Sequence, residues 1–301
     1  MTEPKTETLS APGAVLHYDV RSAETPSTGA STEPILLIIG SPMGADGFVT
    51  LAGHFTDRTV VTYDPRGAGR SPRTDGALVT SVDEHADDLH RLICALQHGA
   101  PEHGALGSGP VDIFASSGGA VNALALVARH PEQVRTLVAH EPPAFAELPD
   151  REAALAVCDD IHATYERSGF GPAMAKFIAV ISLQGPIPAD YADQPAPDPA
   201  AFGLPAGDDG SRNDPLLGLN MPSCPAYEHD FDALRAAPTR IIPAAGNEEG
   251  TMANRGAHAV ADRLGTETVA FPSNHGGFLG GEYGQTGEPE AFATRLREVL
   301  E

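Results

Sequence analysis

From residue 34 onward, short apolar, β-branched runs alternate with stretches of helical period, the pattern of a mostly parallel sheet covered by helices on both faces. Buried strands are expected at 34–40, 59–64, 111–115, 136–140, 239–245 and 266–271, with 14–21 ahead of them as an antiparallel edge strand and 22–32 as a small polar connector. Ser81-Val82-Asp83-Glu84 has the form of a capping box, and Val82, Ala86, Leu89, Ile93 and Leu96 then fall on one helical face that suits packing on a sheet. Ala253, Ala257, Val260 and Leu264 repeat that period before Gly265, as do Phe292, Leu296 and Leu300 at the C-terminus.

The alternation breaks between Glu141 and about Pro238, which marks an insertion. Residues 150–167 and 172–183 have helical period, whereas 184–213 is rich in Pro, Gly and Asp and has none, as expected of a functional flap or a surface loop. There is no internal repeat. With 301 residues, the chain can bury one sizeable core with an inserted lid, or two modest domains.

Charge narrows the partners. Against 19 basic residues stand 41 acidic ones, a formal charge of -22 that repels phosphate backbones and anionic lipid surfaces. A small-molecule substrate is therefore expected rather than nucleic acid or membrane, and a homo-oligomer stays open. Cys94, Cys158 and Cys224 are too few and too scattered for a disulfide framework or a thiolate metal site. No apolar run reaches the length of a membrane span, and residues 1–12 are polar with no signal-peptide core, so a reducing cytoplasm is the expected compartment.

The stretch Val111-Asp112-Ile113-Phe114-Ala115-Ser116-Ser117-Gly118-Gly119-Ala120 carries the chemistry, because it drives a buried strand through a turn of small residues into an Ala/Leu helix closed by Pro131. A serine hydroxyl attacks only when it is held exposed at such a corner, within reach of a base. Ala115 and Gly119 leave room for the turn, Ser117 takes its apex, and Gly118 offers a backbone N–H at the positive end of the helix to an oxyanion formed beside Ser117.

Tyr63-Asp64-Pro65-Arg66-Gly67-Ala68-Gly69-Arg70-Ser71 resembles the D-x-R-G-x-G-x-S loop of the α/β-hydrolase fold family, and Phe271-Pro272-Ser273-Asn274-His275-Gly276-Gly277-Phe278 resembles its loop bearing the catalytic histidine. The resemblance covers nearly the whole chain from about residue 14 and implies an α/β fold: a mostly parallel sheet with helices on both faces and a helical lid inserted between the family's sixth and seventh strands. It divides the chain into a core of 1–141 and 236–301 and a lid of 142–235. His275, beside two glycines at a strand end, is the expected general base. Two positions compete for the acid that orients it: Glu249, or its neighbour Glu248, after the strand at 239–245, and Glu141 in His140-Glu141-Pro142-Pro143, with the first favoured by the family's commoner spacing. Where many relatives carry His-Gly, this chain has Ile39-Gly40-Ser41-Pro42, so the second oxyanion donor is expected from the backbone N–H of Ser41.

The expected activity is a serine hydrolase that cleaves an ester, lactone or related acyl bond of a small, partly apolar substrate through an acyl-enzyme. No metal or organic cofactor is implied. A C–C bond hydrolase, a thioesterase or a perhydrolase would use the same three side chains. A ligand-binding protein, or a cyclase or lyase with His275 as acid or base and Ser117 only as a hydrogen-bond donor, would use the same pocket differently. The serine at the elbow argues against epoxide hydrolases and dehalogenases, which attack through a carboxylate there. Met174, Phe177 and Ile181, with Met221, Tyr227 and Phe231, are expected either to pack the lid or to line an apolar pocket.

Overall fold

Residues along the central strands alternate between two apolar layers: Leu36, Ile38, Phe114 and Val138 face one side of the sheet, and Leu37, Ile39, Ile113 and Leu137 the other. The computed structural model of the protein describes residues 3–24, 33–99 and 105–301. Eight strands form one sheet: β1 (Lys5–Ala11), β2 (Ala14–Arg21), β3 (Leu36–Ile39), β4 (Val60–Tyr63), β5 (Val111–Ser116), β6 (Val134–His140), β7 (Arg240–Ala245) and β8 (Val269–Ala270). Their order is β1-β2-β4-β3-β5-β6-β7-β8, with β1 and β2 antiparallel at one edge and the others parallel.

Eight α-helices accompany the sheet among the described residues: α1 (Val49–Gly53), α2 (Val82–His98), α3 (Gly118–Arg129), α4 (Arg151–Ser168), α5 (Phe170–Ile181), α6 (Phe231–Ala236), α7 (Met252–Leu264) and α8 (Pro289–Leu300). The first apolar layer packs against α1 and α8 through Leu51, Phe292 and Leu296, the second against α2, α3 and α6 through Leu89, Leu124 and Leu234. The capping box forms as expected, with Ser81 Oγ accepting from Glu84 N and the Glu84 carboxylate accepting from Ser81 N. Gly265 ends α7 in the left-handed conformation.

Two expectations change, and a third falls largely outside what the structure describes. The strand at 14–21 lies inside the sheet, because Lys5–Ala11 pairs with it as the true edge; most of that outer strand is exposed and its polar sequence carries no core-facing period. The strand at 266–271 shrinks to Val269–Ala270, an edge with a short ladder to β7. The connector at 22–32 lies outside the described residues from position 25 on.

Between β6 and β7 the chain leaves the sheet and builds a smaller apolar cluster, in which Phe145, Val157, Ile161, Tyr165, Val180 and Met221 meet Met252 and Ala259 of α7. Asp150 ties this insertion to the core: its carboxylate accepts from Arg255 on α7 and from Ile187 N at 2.7 Å. Residues 184–213 contain only short 3₁₀ turns, Tyr191–Asp193 and Pro199–Phe202, followed by a π-helical turn at Pro215–Asn220. Among the described residues no helix is long and apolar enough to cross a membrane.

Candidate active site

Ser117 sits between β5 and α3 with φ 56° and ψ -133°, a conformation an L-residue holds only when its surroundings enforce it, at a cost of about 1–3 kcal/mol. The enforcement is visible. Ser117 N donates to His140 O at 2.9 Å on the neighbouring strand, and Ala120 N donates back to Ser117 O at 2.9 Å. A Cβ on Gly119 would lie 2.8 Å from the Gly40 backbone, and one on Gly118 would lie 2.6 Å from Ser41 O, so only glycine lets α3 start this close to the loop after β3. Gly118 opens α3, where its N–H has no intrahelical partner and lies at the positive end of the helix. The elbow and both candidate oxyanion donors are thus side by side, with Ser41 2% exposed.

Of the candidate acids, Glu141 is the one in contact with His275. His275 Nδ1 and Glu141 Oε2 are 2.6 Å apart, and Gly246 N donates to Glu141 Oε1 at 2.9 Å. Glu141 follows β6 directly with φ 47° and is 1% exposed, so its side chain turns under the loop that carries His275. Glu248 and Glu249 are exposed; Glu248 lines the pocket but neither is the partner of His275. The favoured position at the end of β7 is therefore not where the carboxylate meets the imidazole. There Gly246 contributes its N–H instead, and Asn254 Nδ2 holds Gly246 O at 3.1 Å.

Burial pushes the Glu141 carboxyl up, but the hydrogen bond and charge of His275, with the Gly246 N–H, more than offset this and hold it below its ordinary range. An ionised carboxylate only accepts, so Nδ1 of His275 is the donor, and in the neutral ring that tautomer leaves the lone pair on Nε2. Next to this pair His140, fully buried, stacks on His275 with ring centroids 5.9 Å apart, and its Nδ1 lies 3.1 Å from Ser116 Oγ. Burial lowers the His140 imidazole to about 4, which keeps it neutral beside the Glu141–His275 pair. His140, Glu141 and His275 also have ligand atoms within 4.8 Å of one another, the spacing of a metal site, but Glu141 and His275 already satisfy each other.

Two further contacts support the site. Asn220, in the π-helical turn of the insertion, donates through Nδ2 to Ser41 O at 3.1 Å and so links the insertion to the loop after β3. Asp214 holds that turn by accepting from Leu216 N and Leu217 N, and Tyr165 Oη of α4 accepts from Asp214 N. An isolated Asn in an irregular stretch gives no sequence signal for this role. The second contact is Asp64 of the D-x-R-G loop, which accepts from Ala45 N at 2.8 Å and from Arg70 N at 2.8 Å, bracing the loop after Ser41 from the opposite side.

Ser117, Glu141 and His275 line one cavity of about 180 Å³, with Phe145, Ile161, Phe177 and Met221 above them. Of the side chains expected to pack or line the lid, Phe177, Ile181 and Met221 line this cavity, whereas Tyr227 and Phe231 pack against the core cluster of α2 and α3. Cys158 and Cys224 also border the cavity, and burial pushes both thiols up to about 12, so they face it uncharged.

Comparison with known proteins agrees with this fold. Residues 33–165 match the family model described as the alpha/beta hydrolase fold. The uncharacterized hydrolase YraK of Bacillus subtilis is 30% identical over 302 residues, covering 98% of this chain and 95% of that protein. Among solved structures, a thermophilic esterase from Thermogutta terrifontis superposes with a TM-score of 0.65 at 18% identity, covering 99% of this chain and 98% of that one. The enol-lactonase from Burkholderia xenovorans LB400 does so with a TM-score of 0.64 at 16% identity, covering 98% and 99%.

Proposed function

The chain belongs to the α/β-hydrolase fold family, and from that premise we propose that it is a serine hydrolase acting on an ester, lactone or related acyl bond of a small, partly apolar substrate. The observation that carries the reading is the Glu141–His275 pair, 2.6 Å apart, lining the same cavity as a serine held at φ 56° on a strand-to-helix corner.

In this mechanism His275 Nε2 takes the proton of Ser117 Oγ as the oxygen attacks the substrate carbonyl. Glu141 holds the ring in the tautomer that exposes Nε2 and stabilises the imidazolium as it forms. The N–H groups of Ser41 and Gly118 receive the tetrahedral oxyanion. His275 then protonates the leaving group, and water, activated by the same imidazole, cleaves the acyl-enzyme. Residues 142–235 act as the lid over the acyl group, and Asn220 is their link to the oxyanion loop. Free thiols at Cys94, Cys158 and Cys224 suit a reducing cytoplasm.

An active-site-directed fluorophosphonate tests the reading. Stoichiometric labelling of Ser117 in folded protein, lost in Ser117→Ala, is the expected result; folded wild type that stays unlabelled would overturn it.

A further inference from the structure

Two spaces meet at Ser117. The inner one is the cavity of about 180 Å³ beneath the insertion. The outer one is a cleft of about 640 Å³ that runs from the 40–44 loop past His275 to Tyr283, and it is the more open of the two. Ser117, His275, Phe177, Ile181, Leu216 and Glu248 border both. In an acyl-enzyme cycle the leaving group has to diffuse away before water attacks, whereas the acyl group stays on the serine. The open cleft therefore suits the leaving group, and the covered cavity suits the acyl group.

Size and charge then define that acyl group. An apolar protein cavity of about 150 Å³ accommodates benzene; the inner cavity here is slightly larger and is walled by Phe145, Ile161, Phe177, Val180, Met221 and Met252. Among the described residues neither space is lined by Lys or Arg. The acidic side chains that border them are Glu141 and Glu248 within, and Asp46, Asp214 and Glu248 in the cleft. A carboxylate entering the cavity would surrender its hydration, meet no cation and face the buried carboxylate of Glu141. One N–H of the Asn220 amide is already committed to Ser41 O.

Resting on the serine-hydrolase reading, we propose that this enzyme selects uncharged acyl groups of about six to eight carbons, an aromatic ring or a branched chain, and rejects acyl groups that bear a carboxylate. The bond changes are those of ordinary acyl transfer. Ser117 Oγ bonds to the carbonyl carbon as the bond to the leaving oxygen breaks and that oxygen takes a proton; water then replaces Ser117 and releases the acid. Once ionised, the product acid becomes the kind of ligand the cavity disfavours, which promotes its release.

The test uses the full chain and 4-nitrophenyl esters, so that the leaving group is constant. Benzoate and cyclohexanecarboxylate should exceed acetate and decanoate in kcat/KM by about tenfold. The adipate half-ester should fall at least about 100-fold below the uncharged 6-methylheptanoate of the same shape. Glu248→Lys, an exposed change bordering both spaces, should narrow that gap by about threefold or more. A half-ester handled as well as its uncharged counterpart, a gap unmoved by Glu248→Lys, or a preference for decanoate would overturn the proposal while leaving the serine mechanism intact. No turnover of any ester, with Ser117 unlabelled by phosphonate, would overturn both.

Discussion

The floor of the site and its roof are held in different ways. The floor is built from strand ends: Ser117 and Glu141 follow adjacent central strands, and backbone bonds from Ser117 N to His140 O and from Glu141 N to Ala244 O lock them to the sheet. The roof is built from two helices and a long irregular stretch with a core of its own, and it is joined to the floor by side chains such as Asp150 to Arg255 and Asn220 to Ser41. On the proposed mechanism, backbone geometry thus fixes the reacting groups, while side chains that can change without disturbing the sheet fix what they react with. That division explains how one fold serves many substrates.

Mutations on the floor should cost the most. Ser117→Ala removes the nucleophile and should lower kcat by about 10⁵-fold without loss of folding, measured by ester hydrolysis and thermal melting. Glu141→Gln keeps the shape but no longer dictates the His275 tautomer or stabilises its cation, and should cost about 10³- to 10⁴-fold in kcat. Glu248→Gln and Glu249→Gln should each stay within about twofold on an uncharged ester. A loss on Glu249→Gln that matched the loss on Glu141→Gln would move the acid to β7 and undo this part of the account.

The contact between roof and floor comes next. Asn220→Asp is isosteric but replaces a donor with a carboxylate that repels Ser41 O, loosening the oxyanion loop. The expected outcome is a fall of about tenfold in kcat with KM within about twofold. A change in KM alone would make Asn220 a substrate contact rather than a positioning residue.

The smallest effect on chemistry, though not on folding, should come from acid. His85, His140 and His229 are buried and their imidazoles are each lowered to about 4, in every case with burial as the largest cause. Between the ordinary histidine pKa of about 6.5 and that value, the unfolded chain binds protons that the folded chain does not. Each histidine then removes up to about 1.4 kcal/mol of stability per pH unit as pH falls through this window, with none lost above it. Urea melts at pH 7.0, 5.5 and 4.5 check this; a stability that is flat across the window would mean that these rings are protonated in place.

Much of the floor was legible in the chain, and the reason is physical. An elbow must have small residues at fixed offsets from its serine, so Ala115, Gly118 and Gly119 announce it. A strand buried on both faces needs an unbroken apolar run, so β3 to β6 declare themselves. The acid was ambiguous because β6 and β7 are both followed by glutamates, and the spacing favours the wrong one for contact. What decides between them is the left-handed turn at Glu141 and the returning N–H of Gly246, neither of which leaves a pattern in the sequence. The edge strand β1 escaped notice for the opposite reason, since a solvent-facing ladder needs no apolar period. The roof was legible as an interruption with two helices, but its ties to the floor were not, because they are single side chains, one of them Asn220 in a short irregular turn.

The central claim is that Ser117 carries the acyl group while Glu141 and His275 drive its transfer. Rapid quenching of the Glu141→Gln protein during turnover of 4-nitrophenyl acetate, followed by peptide mapping, measures this directly. The account predicts a hydroxylamine-sensitive acetyl group on Ser117, absent when Ser117→Ala is added. Enzyme-dependent product release with no such adduct, or an adduct on another residue, would contradict it.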